Sequence, residues 1–466
     1  MSFAGHDWVT STLATYALRP MADVSDEATA EAIRRVIDSV AVGVAALPEP
    51  GPAAVRKYAE TTGEAGDSFL WGSGATTGLE AAILANCAAV RYLDFNDAYF
   101  GDASGTHPSD MIPALMLVAD RYEANGRVLL DAILVGYEIA IRAADGLGAR
   151  RRGWDHVNMT ALGACAAAGR LMRLDPERLG HALAIAVVSH AAMGETREGH
   201  LSMWKGLAAA DAVRHAVYAC RLAESGVEGP AHPFLGDRGF LKLLLAGQFV
   251  DEGALRQLAD SPAPLRILDT HIKAWPIGIV SQSGVDAALD ISRSISGLED
   301  IDAVVIETYR AAIDRNGSPE KWRPMTRETA DHSLPYGVAT ALRDGRVDSA
   351  SFDEQQVRSE AMHRFLAERV TLVEDPDLTA GYPEAFPTRV RVRTREGREL
   401  VSEVSYPRGH AKNPLSEGDL AAKYDSLVAG ALSPDDARSL YARIVNLADE
   451  PDVLPINELL RKAGRV

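Results

Sequence analysis

The chain has 466 residues, of which 48 are Lys or Arg and 65 are Asp or Glu, a formal net charge of −17. That balance argues against a general binder of nucleic acid or anionic membrane, since either needs a positive face. Hydrophobic residues make up 47% and charged residues 24%, an ordered globular composition, and at about 150 residues per domain the length allows two or three domains. Cys87, Cys165 and Cys220 lie far apart, an odd and sparse set that fits a reducing compartment and suggests neither a disulfide framework nor a structural zinc. The opening MSFAGHDWVT lacks a basic stretch followed by an apolar core, and no run of ~18 apolar residues occurs. The expectation is a cytoplasmic protein without a leader peptide or membrane span.

Over roughly the first 250 residues apolar positions recur at three- and four-residue spacing, the mark of successive helices. Ser109 and Asp110 are expected to cap a helix through Met111, Leu115 and Val118 that Gly126 ends, and a second helix spans 128–145. Asp175 followed by Pro176 starts another, whose 179–188 stretch is apolar nearly all round and therefore buried. A further helix covers 205–225, stopped by Gly226. The pattern changes near residue 265. Segments 301–309, 369–374, 388–394 and 399–406 read as strands; 388–394 alternates Arg389, Val390, Arg391, Val392, Arg393, and 395–398 turns it into a hairpin. Helices return over 415–429, 433–447 and 456–463, with Gly430 and Gly464 just past the first and last. The expected architecture is mainly α: a large all-helical domain, 1–268 with 407–466, carrying an inserted smaller α/β domain, 269–406.

Chemistry concentrates in a few stretches. Segment 92–110, YLDFNDAYFGDASGTHPSD, holds four aspartates, Asn96 and His107, and is both too polar for core and too aromatic for an idle loop. Pro108 stiffens His107 beside a helix N-terminus, where it can exchange a proton near neutral pH. The same stretch also reads as a solvated loop with a capping His, or, with Asp110 and His156, as a weak metal-ligand set. In GWDH, His156 is a second candidate acid or base or a helix cap, next to a basic run, 150–152, that reads as a solvated face. Lys205 opens an apolar helix beside Trp204, and Lys273 precedes Trp275-Pro276; each is a desolvated cation facing an anion or a snorkelling lysine. In 323–336, a helix over the C-terminal half places Arg327, Asp331 and His332 near one another, for catalysis or for a structural network. The glycines at 72–78 follow no strand and lack a P-loop lysine, which excludes a nucleotide site. Convergence of Lys205, Lys273, Arg327 and Arg408 would suit a di- or tricarboxylate.

The pieces YLDFND (92–97), HPSD (107–110), GYE (136–138), GWDH (153–156), LSMWKG (201–206), GVEGP (226–230), TRETADHSLPY (326–336) and YPRGHAKNPLS (406–416) occur together and in order over nearly the whole chain. In these the chain resembles the MmgE/PrpD family, and most closely its 2-methylcitrate dehydratases. The resemblance implies the same two-domain organisation, a homodimer, no metal or other cofactor, and active-site positions at Asp94, His107, His156, Lys205, Lys273 and Tyr309. Asn96, Ser109, Arg327, His332 and Arg408 are the candidate substrate-binding residues. Three features depart from the family pattern. Ala98 stands where members usually carry Thr, the loop from there to His107 is one residue longer, and 277–282 contains no His where many members have one. The expected function is a hydro-lyase converting 2-methylcitrate to 2-methyl-cis-aconitate, as in the 2-methylcitrate cycle of propionate catabolism. Decarboxylation of a cis-aconitate-like acid or epimerisation of a related polycarboxylate is the alternative within the family, and a non-catalytic helical binding protein the alternative outside it.

Overall fold

The computed structural model describes residues 5–62, 65–101 and 105–464. Residues 102–104 of the 92–110 stretch, and with them part of its longer loop, lie outside that set. Helices dominate from Trp8–Ala17 to Trp204–Glu224 and again from Glu417–Val428 to Leu454–Leu460. Their buried apolar residues form one hydrophobic cluster, from Val9 to Ile272 and from Leu415 to Ala463. A second cluster, from Ile277 to Val392, takes in Ala98 from the N-terminal part. We propose that the two clusters correspond to the two domains expected at 1–268 with 407–466 and at 269–406.

The helical body is centred on Leu79–Tyr92, which packs against Asp26–Ala46 on one side and Trp204–Glu224 on another. Gly126–Leu147 lies against Val157–Leu171. They meet at Gly136 and Gly163, where a Cβ on Gly163 would fall 2.4 Å from the Gly136 carbonyl oxygen. That backbone contact accounts for the glycine of GYE. The α/β part is a four-stranded sheet in the order Val370–Glu374, Ile301–Thr308, Thr388–Thr394, Glu399–Val404, with the first pair parallel and the rest antiparallel. Val390 and Val392 face its core, while Arg389, Arg391 and Arg393 face outward and pair with Glu307, Glu403 and Asp302. The helix Gln282–Ser292 packs against Thr388–Thr394 and Glu399–Val404, and Leu334–Asp344 packs against that helix. Among the described residues, no helix is long and apolar enough to cross a membrane.

Several local expectations are corrected. Gly126 begins a helix rather than ending one, because the Asn125 side chain caps it by accepting from the Val128 N–H. Pro108–Met111 forms a 3-10 turn ahead of Ile112–Arg121, and neither Ser109 nor Asp110 caps it. Val188, at the end of the apolar 179–188 run, is 53% exposed. Segment 326–336 is not one helix: Arg327–Ala330 and Leu334–Asp344 are separate, with Asp331 and His332 in the break. Arg327 therefore turns away, toward Glu49 at 3.5 Å and the Phe352 ring.

Candidate active site

The site begins where Leu79–Tyr92 ends. Arg91 occupies its last turn, and Asp94, three residues on, adopts φ 51°, a left-handed backbone uncommon for a residue with a side chain. Such strain persists only where surroundings impose it. Here three cations converge on one carboxylate: Arg91 in an ion pair, Lys273 Nζ at 2.8 Å and Lys205 Nζ at 3.7 Å. Burial raises the Asp94 acid, but Lys205, Lys273 and Arg91 together hold it well below the ordinary carboxylate range.

The rest of YLDFND laces the loop. The Asn96 side chain donates to Ser109 Oγ and Asp110 Oδ1, each at 2.8 Å. Asp97 accepts from the Ser109 N–H and the Tyr137 hydroxyl and lies 3.4 Å from Arg35. Asn96 and Ser109 are fully buried in this lacing, beneath the site rather than on its wall.

Two histidines follow. His107 Nδ1 lies 2.7 Å from the Asp97 carbonyl oxygen, and Nε2 lies 3.3 Å from Arg91 Nη2. A carbonyl only accepts and a guanidinium only donates, so Nδ1 carries the proton and Nε2 the lone pair, and both nitrogens are occupied. Burial, with Arg91 and Lys273, keeps this ring neutral. The His156 ring is 5.2 Å from it, centre to centre. His156 Nδ1 lies 2.9 Å from Asp155 Oδ1, and Asp155 is anchored by Arg197 at 3.0 Å. Burial lowers His156 to about 4, Asp155 notwithstanding. At neutral pH it therefore donates through Nδ1 and presents a bare Nε2, which has no partner among the described residues.

Lys273 donates to the Asp94 carbonyl at 2.7 Å as well as to its carboxylate, and burial pushes its ammonium down to about 8. Its segment is pinned from several sides. Ala98 and His271 exchange backbone hydrogen bonds, and Lys423 of the C-terminal helices donates to the Lys273 carbonyl. Gln282, in the stretch without histidine, donates to the carbonyls of Trp275 and Ile277. Lys205 is wholly buried between Asp331 at 3.2 Å and Asp94 at 3.7 Å, and its ammonium lies behind Asp94 rather than on the cavity wall. Trp204 does not shield it, being 48% exposed. His332 bonds Asp331 through Nδ1, and its Nε2 lies 3.8 Å from Asp94.

Asp94, His107, His156, Lys273 and His332 line a cavity of about 150 Å³. Its wall carries six cations (Arg91, Arg150, Arg197, Lys273, Arg315, Lys321) against four carboxylates, together with His107, His156 and His332. In a chain of net charge −17 this is a local excess of positive charge suited to a polyanion. A larger cleft of about 880 Å³, walled by Val44, Leu47, Trp275 and Leu427, contains no histidine.

Of the residues expected from sequence, Asp94, His107, His156, Lys273 and His332 line the cavity, with Lys205 directly behind. Tyr309, Arg327 and Arg408 are not on its wall. Tyr309 stacks on Tyr382 at 4.9 Å with its hydroxyl unpartnered among the described residues, and Arg408 binds Asp419 at 2.7 Å on the surface. Arg150, read as a solvated face, lines the cavity. Sequence reasoning missed Arg91, although it stands three residues before Asp94, and Asp155, although it stands inside GWDH. Arg197, Arg315 and Lys321 carried no local signal. For the weak metal-ligand alternative, no group of three or more His, Cys, Asp or Glu side chains among the described residues is placed to hold an ion.

Comparison with known proteins agrees with the motifs. Residues 11–252 match the MmgE/PrpD N-terminal domain and residues 275–448 the MmgE/PrpD C-terminal domain. The chain is 26% identical to the cis-aconitate decarboxylase of Homo sapiens over 398 residues, covering 82% of this chain and 79% of that protein. It is 25% identical to the Mus musculus cis-aconitate decarboxylase over 458 residues, covering 92% and 88%. It is 28% identical to an alkylcitrate dehydratase of Talaromyces stipitatus over 405 residues, covering 80% and 78%.

Proposed function

Because the chain belongs to the MmgE/PrpD family, we propose that it is a lyase acting on a tricarboxylate, and that its reaction is the dehydration of 2-methylcitrate to 2-methyl-cis-aconitate without a bound metal or other cofactor. The observation that carries this reading is the pairing of a neutral, oriented base with a buried ammonium in one cation-rich cavity. His156 offers a bare Nε2, with Asp155 fixing its tautomer. Lys273 offers an ammonium whose acidity lies close to working pH.

His156 Nε2 takes the proton from the carbon next to a substrate carboxylate. The C–H electron pair moves through the aci-carboxylate form into the new C=C bond. The C–O bond breaks, and Lys273 gives the departing hydroxyl its proton, so that water leaves. Charge that builds on the substrate carboxylate is met by Arg91 and Lys273, fixed beforehand in a site that excludes bulk water. Asp94 holds those cations together and, with Asp331, confines Lys205, whose field reaches the site without contact. His107 orients Arg91 by accepting its N–H.

Decarboxylation is the second reading, favoured by the two relatives named for that activity. There the same cations would hold the substrate, a C–C bond would release CO₂, and Lys273 would protonate the carbon left behind. A homodimer, implied by the resemblance, completes the proposal. The test is incubation of chelator-treated protein with 2-methylcitrate, citrate and cis-aconitate, following conjugated-alkene absorbance and CO₂. Alkene formed from 2-methylcitrate without CO₂ supports dehydration. CO₂ from cis-aconitate replaces it with the second reading. Turnover that appears only on restoring a divalent ion, or no turnover of any of the three, contradicts the proposal.

A further inference from the structure

Two pairs among the cavity's cations differ in kind. Arg91 and Lys273 are almost wholly buried and already paired with Asp94. Arg150 and Arg315 are half-buried and lie nearer solvent. They arrive from different parts of the fold. Arg150 sits in the 3-10 turn Ala149–Arg152 that follows the Gly126–Leu147 helix, between the left-handed Gly148 and Gly153. Arg315 comes from the short helix Arg310–Asn316 beside the sheet. Its guanidinium lies 4.9 Å from the centre of the Phe100 ring and 5.9 Å from that of Tyr382, and it donates to the Tyr382 hydroxyl at 3.2 Å. Stacking of this kind fixes the plane of the fork while leaving donors open.

Among the described residues, no carboxylate forms an ion pair with either guanidinium, although most other arginines of the chain have one. Burial first, and then the like charges of Arg315 and Arg197, push Arg150 down to about 10, with Asp155 acting the other way. Arg197 adds a third open donor: its Nε is committed to Asp155 and its Nη1 to the Lys205 carbonyl, but Nη2 has no partner among the described residues. Repelling guanidiniums held together without a counter-ion are stabilised when an anion supplies one, and a carboxylate fits a guanidinium fork with two parallel hydrogen bonds.

We propose that Arg150 and Arg315 form a second carboxylate subsite at the outer end of the cavity, which holds the substrate carboxylate farthest from the reacting carbons and selects a tricarboxylate over a dicarboxylate. This rests on the reading that the cavity binds a polycarboxylate, and it assigns the two subsites different work. The inner one meets charge that develops during reaction. The outer one meets charge present from the start, so it contributes affinity and choice of substrate. Because one arginine comes from the helical body and the other from the α/β part, the outer carboxylate also ties the two walls together.

The test is equilibrium binding by calorimetry, with tricarballylate and methylsuccinate as probes. The two differ by one terminal carboxylate, and neither can lose water, so binding is read apart from turnover. Wild-type protein should bind tricarballylate about 10–100-fold more tightly, the worth of a charge-assisted hydrogen bond. Arg315→Gln and Arg150→Gln should each remove most of that gap by weakening tricarballylate alone. Unchanged methylsuccinate affinity shows that the variant is folded, and if one variant fails to fold the other decides. Arg315→Lys should recover part of the gap, and Arg152→Gln, exposed on the same turn, should leave it whole. A gap that survives in the folded Gln variant overturns the subsite while leaving the polycarboxylate reading standing. Wild-type protein that binds neither probe overturns both.

Discussion

The inner and outer ends of the cavity are built from the same residue types on opposite principles. At the inner end three buried carboxylates are answered within the protein: Asp94 by Arg91, Lys273 and Lys205, Asp331 by Lys205 and His332, and Asp155 by Arg197 and His156. At the outer end Arg150 and Arg315 have no answering carboxylate among the described residues. A closed network is fixed before substrate arrives, which suits groups that must meet a transition state without rearranging. An open one is completed by the substrate, which suits recognition. The inner end should therefore govern kcat and the outer end KM.

Substitutions can break that division, and the largest effect belongs to the base. His156→Gln keeps polarity and approximate size but removes the titrating nitrogen; kcat should fall by ~10²–10⁴ with KM little changed. A comparable rise in KM at unchanged kcat would move His156 to the recognition side. Lys205→Met uncouples the two buried carboxylates it separates. Breaking a buried ion pair costs about 3–5 kcal/mol, so urea denaturation should show a loss of that order, and kcat should fall as Asp94 relaxes. If stability holds, Lys205 does not maintain the network. Arg315→Gln should raise KM for the tricarboxylate about 10–100-fold, the scale of a lost charge-assisted contact, with kcat within a factor of about three. A loss confined to kcat would erase the distinction between the two ends. The smallest effect is expected at Tyr309. Tyr309→Phe removes a buried hydroxyl that has no partner among the described residues, and should leave kcat within about twofold and stability equal or slightly higher. A hundredfold loss would return Tyr309 to the site.

Local chemistry explains what was legible before the structure. The strands at Ile301–Thr308 and Thr388–Thr394 follow from β-branched residues and strict alternation. Gly430 follows the end of Glu417–Val428 with φ 76°, a conformation glycine adopts freely, whereas the last helix already ends at Leu460 and Gly464 belongs to the turn beyond it. Gly126 misled because the cap next to it, Asn125, decides which side of a glycine is helical. Within the site, Asp94, His107, His156 and Lys273 lie in distinctive polar motifs and do converge. Arg315 and Lys321 were illegible because they reach the cavity through the packing of the α/β part alone. Arg150 was hidden by its neighbours: a run of three arginines reads as solvated, and two of them, Arg151 and Arg152, are exposed. Arg327 and Arg408 looked like substrate cations in an acidic chain, but their partners Glu49 and Asp419 are apparent only in three dimensions.

The central claim is that a neutral His156 accepts a proton while an ammonium on Lys273 donates one. Its most direct test is the pH dependence of kcat/KM for whichever tricarboxylate is turned over, in wild-type protein and in Lys273→Met. Burial lowers both groups, His156 to about 4 and Lys273 to about 8. The base works only when deprotonated, so activity should fall as pH drops through about 4, and the acid works only when protonated, so it should fall again as pH rises through about 8. Lys273→Met should be slower throughout and lose the alkaline limb while keeping the acid one. A wild-type profile with no fall near pH 8, or a Lys273→Met profile that retains it, would contradict the assignment.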